Sequence, residues 1–417
     1  MNKLKTITIL LFMMLTTSVF SQFTQLGTSS PYSRFGLGDL VGNVLPEYIA
    51  LGSGVTSISS RNTINSSNPA SYTSFNPNSF LFSTGGVHTT TNIQNLTDNH
   101  FTNNNSFSHL KLAFPLSRKI GASAGMLPYS NIGYTLNALE DGSEITYLGD
   151  GGISKIYFGG AYEPFKDFSI GINAAYLFGG LNKRKLLVFN DETFFSAQSN
   201  SIINLKGYFY EIGLMYKKHV TTEEIISFGL AANNNSSISA KRTNLAETFS
   251  NTTGEIKDTS IYTLERGTAN LPKYLSLGVS YSNSDKWLLL ADYSMQNWED
   301  YSIFNKLDNL NNSMTISAGA EYTPDFNSVT KYYKRMQYRL GVRYSNTPIL
   351  LNEILINEMS LSFGVGIPIR KSRTKYDASV TIGQRGTKED NLIREQFIRF
   401  GLSISYDGVW FVKRKYD

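Results

Sequence analysis

The stretch QFIRFGLSISY, Gln396 to Tyr406, decides the fold because its residues alternate strictly between two kinds. Ile, Phe, Leu, Ile and Tyr stand at every second position from 398 to 406, with Arg, Gly or Ser between them. YLSLGVSYSN (274–283) and MSLSFGVGI (359–367) repeat the pattern. Since successive side chains of a strand point to opposite faces, these stretches predict strands with one apolar face and one small or polar face.

Strand length separates a membrane barrel from a soluble sandwich, which also alternates. The apolar side of these segments runs for about nine residues or more, whereas soluble strands average about 5–6 residues and tilted membrane strands need about 9–11. The chain has 417 residues and is rich in aromatics, with 25 Tyr and 26 Phe. We therefore expect an all-β fold, a transmembrane antiparallel β-barrel, with the soluble sandwich as the alternative.

Fourteen segments carry the strand pattern, an even number as bacterial barrels require. They are 78–92, 105–117, 119–136, 152–164, 167–189, 200–218, 223–234, 271–283, 286–298, 312–323, 334–346, 354–368, 373–385 and 395–411. The barrel domain is thus expected at 78–417. Residues 235–270 form its longest connector, which alternates weakly and belongs on the extracellular side, where barrels carry their long loops.

The first 21 residues are typical of a secretory signal peptide. A charged start with Lys3 and Lys5 precedes a short apolar core, Ile7 to Leu15, and cleavage is expected after Ser21. The core is shorter than the roughly 20 residues that a membrane helix needs. This leader and the strand pattern predict export to the cell outer membrane.

Three stretches resemble the outer-membrane long-chain fatty-acid and aromatic-hydrocarbon transport family, the FadL-like barrels. They are GSGVTSISSRNTINSSNPASY (52–72), LPKYLSLGVSYSNSDKWLLLADYSMQNWEDY (271–301) and GASAGMLPYSNIGYTL (121–136). The opening SPYSRFGLGDL and the ending WFVKRKYD look like a Bacteroidota branch, in which one relative serves type IX protein secretion. The resemblance implies about fourteen strands and an N-terminal hatch that plugs the lumen. Family membership does not by itself fix the cargo.

The predicted hatch is residues 22–77, which do not alternate but are too apolar for a solvated tail. Gly36-Leu37-Gly38 invites a phosphate-loop interpretation, but a third Gly, a Lys-Ser/Thr pair and a preceding strand are missing. Bends inside a confined lumen explain these glycines better. The expected hatch residues are Pro31, Tyr32, Arg34, Phe35, Gly36, Gly38, Asp39, Asn68, Pro69 and Ala70.

Pro128 interrupts the third segment and is followed by Asn131 and Gly133. Proline cannot donate to a strand ladder, so in a closed barrel it should mark a bulge or kink. The family resemblance implies that a kink there opens a lateral portal from lumen to membrane. A bulge without transport is the alternative.

Four arginines are expected to face the lumen, since an Arg facing lipid at the bilayer midplane costs about 2–4 kcal/mol. One interpretation is a cationic path for a carboxylate head group. The favoured alternative is charge pairing with hatch acids such as Asp39 or Glu47, or with wall acids such as Asp292 and Glu321. The arginines are Arg335, Arg339 and Arg343, which share one strand parity, and Arg399.

The remaining composition argues against several classes of function. Cysteine is absent, and His88, His100, His109 and His219 show no zinc-like spacing, so no metal is expected. We find no nucleophile elbow or catalytic triad and expect neither an enzyme nor a cofactor. The net charge of +5 and the short basic run Lys413-Arg414-Lys415 argue against a nucleic-acid partner.

Two functions remain open. The first is passage of hydrophobic or amphipathic small molecules, with outer-membrane lipid and a fatty acid or other apolar ligand as partners. It requires a hatch that leaves a pocket and a portal near Pro128. The second is a non-transporting barrel subunit of a larger secretion or envelope-assembly complex, with other outer-membrane or periplasmic proteins as partners. It requires a filled lumen, and residues 235–270 would be its docking arm. A plug argues against a third option, a diffusion porin.

Overall fold

A computed structural model describes residues 27–42, 45–140, 143–189, 194–250, 252–283, 286–370 and 372–410. The predicted signal peptide and the basic run near the C-terminus lie outside these residues. The described residues contain nineteen strands: β1 Asp39–Leu40, β2 Ser79–Gln94, β3 Asn99–Pro115, β4 Ile120–Glu140, β5 Ser143–Phe165, β6 Phe168–Val188, β7 Ser196–His219, β8 Glu224–Asn233, β9 Ser237–Phe249, β10 Ile256–Asn270, β11 Lys273–Asn283, β12 Trp287–Asn297, β13 Ser302–Ile303, β14 Lys306–Leu307, β15 Ser313–Tyr322, β16 Gln337–Leu351, β17 Ile354–Pro368, β18 Lys375–Arg385 and β19 Arg394–Val409.

Fourteen of these strands form a closed antiparallel barrel, as predicted. Each pairs with the next along the wall, and β19 closes the ring on β2 from Arg394↔Gln94 to Val409↔Ser79. Each of the fourteen predicted segments overlaps one barrel strand. The five strands outside the ring are β1, β9, β10, β13 and β14.

The alternation places the apolar side chains on the outer face of the wall. On β19, Phe400 and Leu402 are 47% and 66% exposed, whereas Ser403 and Ser405 are 7% and 3% exposed. Because lipid covers the outer face of such a barrel, leucine and phenylalanine belong there and serine belongs inside. The polar face of each strand therefore points into the barrel, where it can contact other parts of the chain.

One side of the wall extends far beyond a membrane crossing. β7 has 24 residues, more than twice the roughly 10 that a crossing needs. Its second half pairs with β8, from Glu211↔Asn233 to His219↔Ile225, while its first half pairs with β9. β9 and β10 form a hairpin, which we call the arm, between the barrel strands β8 and β11. The predicted long connector thus consists largely of two paired strands, and its extracellular side stays a prediction.

The chain ahead of β2, residues 27–42 and 45–78, is called the N-terminal segment. It contains the 3₁₀ turns Pro31–Arg34 and Pro69–Ser74 and one short helix, α1 Pro46–Ile49. Its Leu37, Ile64 and Tyr72 belong to one buried apolar cluster with wall residues such as Leu127 and Leu177. The segment therefore shares a core with the inner face of the barrel.

Two further 3₁₀ turns, Tyr332–Arg335 and Glu389–Asn391, lie between barrel strands. Within the described part of the chain, no helix is long and apolar enough to cross a membrane.

Candidate functional site

The candidate site is the contact between the N-terminal segment and the inner face of the wall, together with the neighbouring edge of β4. Arg385 on β18 is its most connected cation. Its Nη1 donates to Asp39 Oδ1 at 2.9 Å, and its Nε and Nη2 donate to Glu395 Oε2 at 2.9 and 2.7 Å. Asp39 belongs to the segment and Glu395 to β19, so one guanidinium ties the segment to two wall strands.

Tyr32 closes this cluster from the side of the segment. Its ring lies 5.4 Å from the Arg385 guanidinium, and its hydroxyl donates to the Ile393 carbonyl. Burial and, to a smaller extent, the nearby Glu395 carboxylate raise the pKa of Tyr32 to about 12. Ser30 Oγ also donates to Glu395 Oε1 at 2.5 Å.

A second ion-pair network anchors α1. Glu47 is 1% exposed, and its carboxylate lies 2.5 Å from Lys375 Nζ on β18. Lys375 also approaches Asp377 at 3.6 Å, and Asp377 accepts from Arg339 Nη1 at 2.6 Å. Arg339 completes the network by donating through Nε to Glu321 Oε2 at 2.6 Å. Lys375, Asp377 and Arg339 are buried and paired, the state in which buried ions are tolerated, and burial raises the pKa of Glu47 to about 7 in spite of the neighbouring Lys375.

Hydrogen bonds outside the two ion-pair networks also hold the segment. Asp292 Oδ2 accepts from the backbone nitrogens of Val55 and Thr56, both at 2.7 Å. Asn68 Nδ2 donates to the Leu214 carbonyl on β7 at 3.1 Å. On the wall, glycines let the segment approach closely: a Cβ built on Gly341 would stand 2.0 Å from the Gly52 nitrogen. Small residues on the polar strand face thus make room for a second layer of backbone.

The structure places the predicted hatch residues in two groups. Pro31, Tyr32 and Arg34 lie in the first 3₁₀ turn, and Asn68 caps the turn that begins with Pro69 and Ala70 by accepting from the Ala70 nitrogen at 3.1 Å. The Arg34 guanidinium lies 4.6 Å from the Phe35 ring. The Gly36 nitrogen donates to Asp308 Oδ2 at 2.9 Å. Their role as a hatch stays a prediction.

Gly38 is the glycine that the contact with β4 requires. Its φ is +93°, and a Cβ there would stand 2.5 Å from the Asn131 carbonyl oxygen. The tight bend brings the next two residues, Asp39 and Leu40, into antiparallel pairing with Asn131 and Ser130 of β4. The Val41 nitrogen extends this short ladder to the Tyr129 carbonyl at 2.9 Å.

The edge of β4 is open to β1 because the β3–β4 ladder is short. It runs from Pro115↔Gly121 to Leu110↔Met126 and ends there. Beyond that point β3 stays paired with β2 as far as Asn99, and β4 stays paired with β5 as far as Glu140. We call the stretch in which β3 (residues 99–109) and β4 (residues 127–140) no longer pair with each other the seam.

Pro128 lies just past the last β3–β4 pair, on the seam. The β4–β5 register shifts between Pro128 and Ser130, as expected of a bulge at a proline. Asn131 follows at the β1 contact, and the Gly133 nitrogen donates to Ser33 Oγ at 3.1 Å. The three predicted portal residues are therefore brought together on one strand edge, and their role in passage stays a prediction.

The four predicted arginines have different surroundings. Arg339 forms ion pairs with Glu321 and Asp377. Glu321 is one of the wall acids that the charge-pairing alternative named as a partner. Arg399 lies 3.8 Å from Glu358 and stacks 3.9 Å from the Phe397 ring. Arg335 lies in the 3₁₀ turn ahead of β16, so the shared strand parity predicted for it is wrong: the strand begins two residues later.

Arg343 lines a cavity beside the N-terminal segment. Its Nε, like that of Arg335, is buried without a hydrogen-bond partner among the described residues. The cavity has a volume of about 220 Å³ and lies between the segment and the wall, and Val41, Thr56, Glu211 and Asp292 also line it. This volume is below the roughly 300–1,000 Å³ typical of ligand pockets.

Two larger depressions, of about 870 and 690 Å³, are lined mainly by outward-facing apolar residues. The first lies over β15 to β19 with the adjoining parts of β2 and β3, and includes Val342, Leu361 and Ile398; the second lies over β7, β8, β11 and β12. Lipid covers this face of a membrane barrel, so their volume is no measure of a lumenal ligand site.

Sequence reasoning missed two of the cations that bind the segment, Lys375 and Arg385, and the acid Asp377. All three stand on the polar parity of β18, opposite Ala378, Val380 and Ile382. The alternation of apolar and polar residues that places Arg339 on the inner face of its strand places these three residues on the inner face of β18 as well. No group of three or more His, Cys, Asp or Glu suited to a metal ion occurs within the described ranges.

Comparison with solved structures finds toluene transporters and a FadL homologue among the similar barrels. The P. putida toluene transporter TodX is similar with a TM-score of 0.61 at 14% identity, over 90% of this chain and 100% of that one. A Pseudomonas aeruginosa FadL homologue matches with a TM-score of 0.61 at 12% identity, over 89% and 99%. The Ralstonia pickettii toluene transporter TbuX matches with a TM-score of 0.59 at 16% identity, over 88% and 98%. At these identities the likeness shows the fold, and it confirms the FadL-like barrel expected from the sequence.

No curated protein sequence matches this chain. The Bacteroidota branch stays a prediction. A family model does match, over residues 3–417, which is nearly the whole sequence. The chain belongs to the BamG family, and within it has the fold of the FadL-type outer-membrane channels.

Proposed function

We propose that this protein is a non-transporting barrel subunit of a larger outer-membrane complex, with the N-terminal segment as a fixed plug. The observation that carries the proposal is the anchoring of that segment by two buried ion-pair networks, one on Arg385 and one on Lys375. Separating a buried pair leaves an uncompensated charge and costs about 3–5 kcal/mol. A plug held by two such networks is poorly suited to move with each passing molecule.

The space beside the plug supports the same proposal. The cavity at Arg343 holds about 220 Å³ and is bordered by charged and polar groups as well as by Val41 and Phe209. A long acyl chain needs a larger and more apolar enclosure. The arm, in contrast, adds protein surface beyond the barrel. A channel does not need such a surface, whereas a subunit of a complex needs one to bind its partners.

The decisive experiment is gentle extraction of the tagged chain from native membranes, followed by native mass spectrometry. We expect a stoichiometric protein complex that survives purification. Recovery of the barrel alone, with a bound fatty acid or another apolar molecule, would contradict the proposal.

A second candidate function is passage of a small amphipathic anion, and Arg343 with the seam favours it. The Arg343 side chain on the cavity wall supplies a cation for a carboxylate, and the seam beside Pro128 offers a lateral way out of the barrel. β1 covers part of that exit by pairing with β4. In the extraction experiment this function predicts a bound organic anion and no stoichiometric protein.

A further inference from the structure

The free edge of the arm is the feature that carries a further inference, one that rests on the proposed complex. β10 pairs with β9 along its whole length, from Ile256↔Phe249 to Asn270↔Ser237. On its other side, among the described residues, only Ala269 and Asn270 are paired, with β13. The backbone from Ile256 to Gly267 is therefore an unpaired strand edge, a ready template for another extended chain.

The start of β13 shows how that edge receives a strand. Asn270 and Ala269 pair antiparallel with Ser302 and Ile303, and the Phe304 nitrogen donates to the Thr268 carbonyl at 2.9 Å. The chain then turns away, with φ of 53° at Phe304 and 59° at Asn305. An incoming segment would continue the ladder where β13 leaves it.

The parity of the edge follows from that hydrogen bond. Since the Thr268 carbonyl points away from β9, residues of the same parity direct their N–H and C=O groups to the free edge. The β9–β10 register is uninterrupted from Ile261 to Asn270, so these residues are Arg266, Leu264 and Tyr262. Register shifts between Ile256 and Asp258 and between Thr259 and Ile261 limit the regular, unpaired edge to Ile261–Gly267.

Apolar side chains accompany the edge on one face. Tyr262 is 68% exposed and Leu264 is 46% exposed. Leu264 stands opposite Thr243 of β9, which in turn stands opposite Ile202 of β7, itself 37% exposed. An added strand with apolar residues at alternate positions would pack beside this strip, as cross-strand neighbours do.

The arm is preformed for such a contact. The other face of β9 is buried at its start, where Ile238 and Ala240 are 1% and 2% exposed and pack in one cluster with Leu205 and Phe304. Further along, β9 is held by its pairing with β7, which runs from Lys206↔Ser239 to Ser196↔Phe249. Because this pairing already orders the hairpin, a partner would not have to order the edge on binding, which lowers the entropic cost.

We propose that β10 binds an extended segment of a partner protein by strand addition. The segment pairs with the backbone from Ile261 to Gly267 and places alternate apolar side chains beside Tyr262 and Leu264. The backbone hydrogen bonds supply the affinity, as in other cases of strand addition. The exposed apolar side chains of Tyr262, Leu264 and Ile202 supply the selectivity.

The test is amide hydrogen exchange, resolved to single residues, on the native complex and on the isolated chain. We expect the amides of Tyr262, Leu264 and Arg266 to exchange about tenfold or more slowly in the complex, since a newly made hydrogen bond must open first. The intervening amides of Thr263 and Glu265, bonded to β9 in both states, should change little. A merely shielded surface would not produce this alternation.

Leu264→Pro removes one edge donor without removing a bond to β9, because edge prolines are tolerated where the N–H faces outward. We expect Leu264→Pro to lower recovery of the partner at least fivefold, and the matched variant Leu264→Val to leave it unchanged. A complex whose edge amides exchange as fast as in the isolated chain would overturn strand addition alone. Isolation of the barrel without any stoichiometric protein would overturn the proposed function and, with it, this inference.

Discussion

At the scale of single residues, Arg385 decides whether the N-terminal segment stays on the wall. Its guanidinium is the shared partner of Asp39 in the segment and Glu395 on β19. The side chains of Arg385, Asp39 and Glu395 are 11%, 21% and 2% exposed, so water screens the first pair partly and the second hardly at all. Loss of Arg385 would leave the Glu395 carboxylate buried without its cation.

We therefore predict that Arg385→Ala loosens the segment while the barrel still forms. The expected cost is about 3 kcal/mol, the lower end for breaking a buried pair, because Asp39 is partly exposed. Urea titration of the reconstituted barrel measures the loss, and limited proteolysis shows new cleavage within the segment. The matched control is Arg394→Ala, since Arg394 bonds Gln94 on the wall through Nη2 at 2.7 Å and lies one residue from Glu395. Equal protease resistance in wild type and Arg385→Ala would contradict the prediction.

At the scale of elements, the barrel strands could be predicted from the sequence, but the charged residues that meet across the lumen could not. Each barrel strand carries its own period-two signal, so Leu402 and Ser403 assign the faces of β19 from local sequence alone. Which charges meet across the lumen depends on register and on the path of the N-terminal segment, and neither leaves a local pattern. Arg385 and Asp39, 346 positions apart, could not be joined from the sequence. The four-residue spacing from Arg339 predicts that Arg335 lies on the same strand, but Arg335 lies in the 3₁₀ turn ahead of β16.

The seam is the element that separates the two candidate functions. Pro128 withholds a donor where the β3–β4 ladder ends and shifts the β4–β5 register. Replacing it with Val restores a donor and a good strand former, so the ladder should lengthen and the seam should narrow.

If the seam passes an apolar or amphipathic molecule, Pro128→Val should reduce its uptake severalfold, measured with a radiolabelled fatty acid in cells that depend on this barrel. As a matched control, Pro115→Val changes a proline at the far end of the same short ladder and should leave uptake unchanged. If the protein is a fixed-plug subunit, Pro128→Val should leave uptake and partner recovery unchanged. Unchanged uptake would therefore remove the portal and favour the complex.

At the scale of the whole molecule, the barrel is too wide to be filled by its own side chains. Barrel diameter grows roughly linearly with strand number: about 8 strands are filled by side chains, whereas about 16–18 leave an aqueous channel. Fourteen strands lie between these limits, and the inward faces are rich in Ser, Thr and Gly, with Ser403, Ser405 and Gly341 as examples. The space that remains is what the N-terminal segment occupies in the proposed function, where the apolar cluster around Leu37 and Tyr72 and the ion pairs of Asp39 and Glu47 hold it.

Deletion of residues 27–77 should therefore convert the protein into an open pore. In a planar lipid bilayer we expect no channel steps from the full mature chain and stable ohmic steps from the deletion variant, because the polar inner wall would fill with water. Heat-dependent migration of both proteins on a gel, the mark of a folded barrel, controls for folding. Arg385→Ala should lie between them and open intermittently, since only one of the two ion-pair networks is lost. Conductance from the full chain, or a folded deletion variant that stays closed, would show that the segment does not fill the barrel.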